Sequence, residues 1–170
     1  MLFRSFELRG AHIYPESFVQ TGKNLEEWAR RIKERSNGRV NFNIVHGGAL
    51  LNVGDHLDGI SAGLVDVTSF YPIYFPGEFR IEGALTNIID IWSDNVPDLK
   101  GVTLIHAQLH KEFEAFRKEY ESRNMHMLVP LPADPYLIVC TKEVKSLQDL
   151  AGRKMRTFGR YFPVLQAGLG

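Results

Sequence analysis

The stretch Val40-Asn41-Phe42-Asn43-Ile44-Val45-His46-Gly47-Gly48 decides how the rest of this chain is read. Val40, Phe42 and Ile44 alternate with asparagines in the two-residue period of a strand, and the glycine pair stops it. Immediately upstream, Leu25, Trp28, Ala29 and Ile32 recur at helical spacing until Asn37-Gly38, a helix-ending pair. Ser17 and Gln20 have capping-box spacing and predict where that helix starts. Farther upstream, Phe6 to Ile13 reads as another strand, closed by Tyr14-Pro15. Strand, helix, strand in this order is a βαβ unit with parallel strands.

Downstream the alternation continues. A short helix is predicted over Asp55 to Ala62, with Leu57 and Ile60 inward, and a strand over Leu64 to Phe70. The aromatic, proline-rich loop Tyr71-Pro72-Ile73-Tyr74-Phe75-Pro76-Gly77 follows. One long helix is expected from Pro97-Asp98, with Val102, Ile105, Leu109, Phe113, Phe116 and Tyr120 as its apolar stripe. Met125 to Leu131, Tyr136 to Thr141 and Lys154 to Thr157 read as strands, Ser146 to Leu150 as one capped helical turn, and a last helix begins near Tyr161. Pro130, Pro132 and Pro135 mark a crossover between lobes. The expectation is an α/β chain with mostly parallel sheets, residues 1–130 forming a first lobe and residues 131–170 the crossover and start of an incomplete second one. Leu2-Phe3-Arg4-Ser5 is also what a common sequencing adapter encodes when translated, which raises the expectation that Met1 to Ser5 is not native.

Composition excludes more than it assigns. Twenty basic residues balance twenty acidic ones, and no basic run marks a nucleic-acid surface. The single Cys140, inside an apolar run, reads as a buried strand thiol. No apolar stretch approaches a membrane-spanning length, and no secretory signal is present in this sequence.

Catalytic signatures are equally scarce. There is no P-loop, no dinucleotide-binding glycine fingerprint and no nucleophile elbow. His46-Gly47-Gly48 resembles an oxyanion segment, but without the elbow a strand-ending turn explains it better. His106 and His110 lie one helical turn apart, as zinc ligands can, yet no third ligand is evident, and a solvated or half-buried helix face is the expected account. Asp55, Asp58 and Asp66 could be an acid/base set, but Asp58 and Asp66 are expected to face solvent or end a helix. No catalytic residue, metal or cofactor is therefore assigned. Ligands of open parallel sheets bind beyond the carboxyl ends of the strands, which here carry His12 and Tyr14, Phe70 and Tyr71, and Arg156 and Phe158. Aromatic walls with one guanidinium suit a small carboxylate.

Ser146-Leu147-Gln148-Asp149-Leu150-Ala151-Gly152-Arg153-Lys154-Met155-Arg156 resembles the segment that carries the ligand arginine in solute-binding proteins of TRAP (tripartite ATP-independent periplasmic) transporters. Three more segments agree in order and spacing: Glu26 to Val45, Gly47-Gly48-Ala49-Leu50, and Asp58 to Phe79 with its Tyr74-Phe75-Pro76-Gly77-Glu78-Phe79 loop. The resemblance spans the chain from about Phe6 to its end.

The resemblance implies a periplasmic-binding-protein-like bilobal fold, truncated here after the start of the second lobe. It implies a periplasmic protein that closes on a small organic acid and delivers it to membrane permease subunits, without catalysis. Carried over by position, Arg156 is the carboxylate clamp, and Tyr71, His12, Phe158 and Trp92 are pocket candidates. Tyr136 stands where some members present a second arginine; it supplies no charge, which argues against sialic acid. The usual "Leu-Pro-Phe" segment is replaced near Ile88-Ile89-Asp90-Ile91-Trp92. Two rival readings are a cytoplasmic ligand-sensing domain of a regulator and a hydrolase using His106 and His110 with a metal.

Overall fold

A computed structural model describes residues 4–85, 98–131 and 137–168. The chain forms two compact units, Met1–Tyr71 with Tyr120–Leu131, and Pro72–Glu119 with Pro132–Gly170.

The first unit is built on β1 (Phe6–Ala11), α1 (Asn24–Arg35), β2 (Val40–Val45), α2 (His56–Ser61) and β3 (Val67–Thr68). All three strands are parallel, in the order β2-β1-β3. The register runs from Phe6 opposite Val40 to Ala11 opposite Val45. β1 is the central strand, and Gly10 explains how closely β2 lies beside it: a Cβ there would sit 2.7 Å from Ile44 Cγ1. Ala11, Leu51 and Val65 form a buried cluster against which Ile60 packs, and Trp28 of α1 meets Phe42 with ring centroids 5.2 Å apart.

Local chemistry sets most element ends in this unit. α1 terminates because Asn37 (φ 52°) and Gly38 (φ 74°) turn left-handed, letting the Gly38 N–H return to the Lys33 carbonyl at 2.8 Å. Gly47 and Gly48 turn the same way after β2. The predicted capping box does not form. A wide π-helical turn, Val19–Lys23, leads into α1 instead, with no side-chain cap on its entry. The strand expected over Leu64 to Phe70 shrinks to β3, since only Gly10 and Ala11 of β1 pair with it. Met125 is buried, but Met125 to Leu131 forms no strand, and Leu128 is exposed.

The second unit is helical. It holds a 3-10 turn (Pro72–Tyr74), α3 (Arg80–Leu85), α4 (Leu99–Glu112), most of α5 (Glu114–Glu121), a capped 3-10 turn (Leu147–Leu150) and α6 (Phe162–Ala167). The single long helix expected from residue 97 is two: the chain turns extended at Phe113 (φ −107°, ψ 110°). Asp98 caps α4 by accepting from the Gly101 N–H at 2.7 Å. The expected apolar stripe is also displaced. Val102, His106 and His110 are the buried positions of α4, while Ile105 and Phe113 are exposed.

Neither expected strand of this unit forms among the described residues. Leu137, Ile138 and Val139 are exposed and pair with nothing, and Lys154 to Thr157 is irregular. Cys140 is exposed as well, which corrects the expectation of a buried strand thiol. The physical reason is shared: an extended segment becomes a strand only against a partner's hydrogen bonds, and no described strand lies beside these. Among the described residues, no helix is long and apolar enough to cross a membrane.

Candidate ligand site and a buried histidine–glutamate cluster

Three parallel strands run to one sheet edge, and each delivers a polar or aromatic side chain there. β1 is followed by His12 and Tyr14, β2 by His46, and β3 by Ser69, Phe70 and Tyr71. His12 is wholly buried. Its Nδ1–H donates to the Tyr14 carbonyl at 2.9 Å, so its Nε2 accepts from the hydroxyls of Thr21 (2.9 Å) and Tyr71 (3.3 Å). Burial is the main cause that keeps its pKa below the ordinary histidine value, against the raising effect of the Tyr14 carbonyl.

Aromatic rings surround this histidine. Tyr14 packs on Phe18 (4.7 Å between centroids) and edge-on to Tyr71 (5.6 Å), and His12 lies edge-on to His46 (5.6 Å). His46 donates through Nε2 to Glu26 of α1 at 2.6 Å. Its Nδ1 and the Ser69 hydroxyl are buried with no partner among the described residues. Beneath the edge, His56 of α2 donates to Thr68 Oγ1 at 2.6 Å, and Thr68 in turn donates to the Ala11 carbonyl at 2.7 Å. Burial pushes the His56 pKa down to about 4. This edge is therefore aromatic and hydrogen-bonded, with two buried polar atoms that have no partner among the described residues.

Arg156 belongs to the second unit and is exposed, with its guanidinium 5.3 Å from the centre of the Phe158 ring. Phe158 packs in turn on Phe162 of α6 at 4.6 Å. Arg153, three residues earlier, is spent on the carbonyls of Lys142 and Glu143, whereas Arg156 has no ion pair among the described residues. The turn before it is capped by Asp149, whose Oδ2 accepts from the N–H groups of Lys145 and Ser146, both at 2.9 Å. Gly159 (φ 64°) comes so close to Ile73 that a Cβ there would sit 3.1 Å from Ile73 Cγ1. This contact anchors the chain just beyond Arg156. Trp92 and Tyr136, and the segment around Ile88 to Ile91, lie outside the described residues.

His106 and His110 need correction. They do not line a solvated or half-buried face: both are buried, and a third partner is present. Glu82 of α3, 2% exposed, accepts from His106 Nε2 on Oε1 (2.6 Å) and from His110 Nε2 on Oε2 (2.7 Å). The donor atoms of all three lie within 4.8 Å of one another, which makes this the described cluster able to hold a metal ion. Burial alone would raise the Glu82 pKa, but the hydrogen bonds and charge of His106, then of His110, hold it below the usual carboxylate value. Of the three carboxylates considered from sequence, Asp58 and Asp55 are exposed, and Asp66 pairs with Arg9 of β1, accepting from its backbone N–H at 2.7 Å.

Two residue sets escaped the sequence reading. His46 directly follows a strand, so the strand-end rule that singled out His12 reaches it too. Glu82 carried no local signal, because it meets the two histidines across different helices.

Residues 10–165 match the family model described as bacterial extracellular solute-binding protein, family 7. The chain belongs to this family. It is a family of extracytoplasmic binding proteins, not of enzymes, and TRAP-transporter binding proteins carry its fold. Such a protein from Bordetella bronchiseptica RB50, solved with copurified calcium and picolinate, matches with TM-score 0.67 and 19% identity over 98% of this chain and 48% of its own. One from Pseudomonas putida F1, with bound D-glucuronate, matches with TM-score 0.65 and 17% identity over 97% and 52%. A marine metagenome protein specific for pyroglutamate matches with TM-score 0.57 and 19% identity over 88% and 46%. This member of the family thus spans about half the length of the solved structures that it matches.

Proposed function

We propose that this family member captures a small organic acid outside the cytoplasm for a TRAP transporter, with Arg156 pairing with the ligand's carboxylate. One observation carries the reading: an exposed guanidinium, laid on Phe158 and without an ion pair among the described residues, follows a capped turn in a segment that resembles the one carrying the family's ligand arginine. Arginine suits this task because its planar fork grips both carboxylate oxygens and stays charged at any working pH. The hydrogen bond between Tyr71 and the buried His12, and the atoms of His46 and Ser69 that have no partner among the described residues, support a polar ligand at the strand ends. Enclosure of the bound acid would withdraw the ion pair from water and strengthen it, and permease subunits would receive the ligand on its release.

The solved relatives favour the ligand class, since glucuronate and pyroglutamate are both carboxylates. A thermal-shift screen of organic acids, followed by calorimetry on the protein as its gene encodes it, tests the reading. Arg156→Ala should weaken the selected acid by about 3–5 kcal/mol, as loss of one partner of a buried charge pair does. Unchanged affinity in that variant would remove Arg156 from the site.

A further inference from the structure

The buried cluster of the second unit has no role in carboxylate capture as described, and its chemistry is specific. Two imidazoles one turn apart on α4 converge on the two oxygens of one carboxylate from α3. The histidine ring centroids are 5.3 Å apart. Three polar side chains occupy the inner face of this contact while Leu104 and Ile105 of the same helix face outward, 60% and 37% exposed. Burying two imidazoles and a carboxylate together is costly; their mutual hydrogen bonds offset part of that cost, and a cation held by all three would offset more.

We propose that Glu82, His106 and His110 bind a first-row divalent transition metal of the zinc class, clipping α3 to α4. Two imidazole nitrogens and one carboxylate form a borderline-soft donor set. It suits zinc and its neighbours and disfavours calcium or magnesium, which take oxygen ligands. The donors already sit in hydrogen-bonding range, so accepting an ion with bonds of about 2.0–2.2 Å needs each pair to open by under about 1 Å, with the Nε2 protons of both histidines moving to Nδ1 or to solvent. Both helices are braced for that load. Glu119 accepts from the N–H groups of Ile81 (2.7 Å) and Glu82 (2.9 Å), fixing the first turn of α3. Arg117 donates to the carbonyls of His110 (2.6 Å) and Lys111 (2.9 Å), fixing the end of α4. With three protein ligands, the fourth position is left to water or to a small donor, as in open zinc sites.

The test uses tag-free protein stripped by chelator, then titrated separately with zinc, cobalt, calcium and magnesium. Zinc should raise the melting temperature and calcium and magnesium should not, while cobalt should give the intense visible bands of a four-coordinate site. His106→Gln and His110→Gln should each lower zinc affinity at least about tenfold. Organic-acid binding gives a separate readout, so failure of this site and failure of the Arg156 site are distinguishable. If a variant does not fold, isotope-labelled histidines in the unaltered protein decide the matter: zinc must move the His106 and His110 resonances. Absence of zinc binding, or binding that moves only the exposed His126, overturns the proposal.

Discussion

The two units of this chain treat the same kind of raw material differently. In the first, β1 and β2 find each other across one intervening helix, and six consecutive residue pairs lock into register. In the second, Leu137, Ile138 and Val139 form as apolar a stretch, yet remain exposed and unpaired among the described residues. What separates them is the presence of a partner: β propensity describes fitness for a sheet, and hydrogen bonds from a neighbouring strand make the sheet. The helices show a parallel contrast. The inner face of α1 is apolar, with Leu25 and Ala29 buried, while α4 buries two histidines because a carboxylate waits opposite them.

Acid should break the first unit's side of this comparison most strongly. The His56 pKa is lowered by burial from 6.5 to about 4. Its contribution to stability is therefore present in full above pH 6.5, declines as the pH falls and levels off below about 4. The loss is on the order of 3 kcal/mol. Burial lowers the His12 pKa too, so that group acts in the same direction. Urea titrations of the unaltered protein and of His56→Gln, compared at pH 7 and pH 4, isolate the His56 share. A difference that does not change with pH would refute the buried, neutral imidazole.

A smaller effect is expected at the closest strand approach. Gly10→Val would force a side chain into Ile44 and should destabilise the sheet by about 2 kcal/mol, read as a lower urea midpoint with unchanged slope. The smallest effect sharpens the contrast from the other side. Val139 is 92% exposed, so Val139→Thr should change stability by less than about 0.5 kcal/mol. A larger loss would mean that this stretch is buried against something in solution.

Where the sequence reading held, the information was local. The alternation in Val40 to Val45, the Asn37-Gly38 stop and the Ser146–Asp149 turn each depend on residues within a few positions, and each formed. The βαβ order and the parallel sheet followed from them. The failures were of two kinds: the strand over residues 64–70 depended on a remote partner, whereas the Ser17–Gln20 capping box was a local signal that did not form. Residues 64–70 pair only where β1 reaches them, and the long predicted helix breaks at Phe113. The strand-end rule found His12 and Tyr71 and passed over His46, which stands in the same relation to β2.

By itself, then, the sequence determined an α/β chain with parallel strands, a family resemblance that the family match bears out, and an arginine placed behind a capped turn. Periodicity, turn chemistry and motif spacing all act over a few residues, and so can be read along the chain. Tertiary structure alone decided that His12 is buried and bonded on both nitrogens, that Cys140 is exposed, and that Glu82 meets His106 and His110. Burial and the convergence of side chains from different helices are properties of packing, and no local pattern in the chain encodes them.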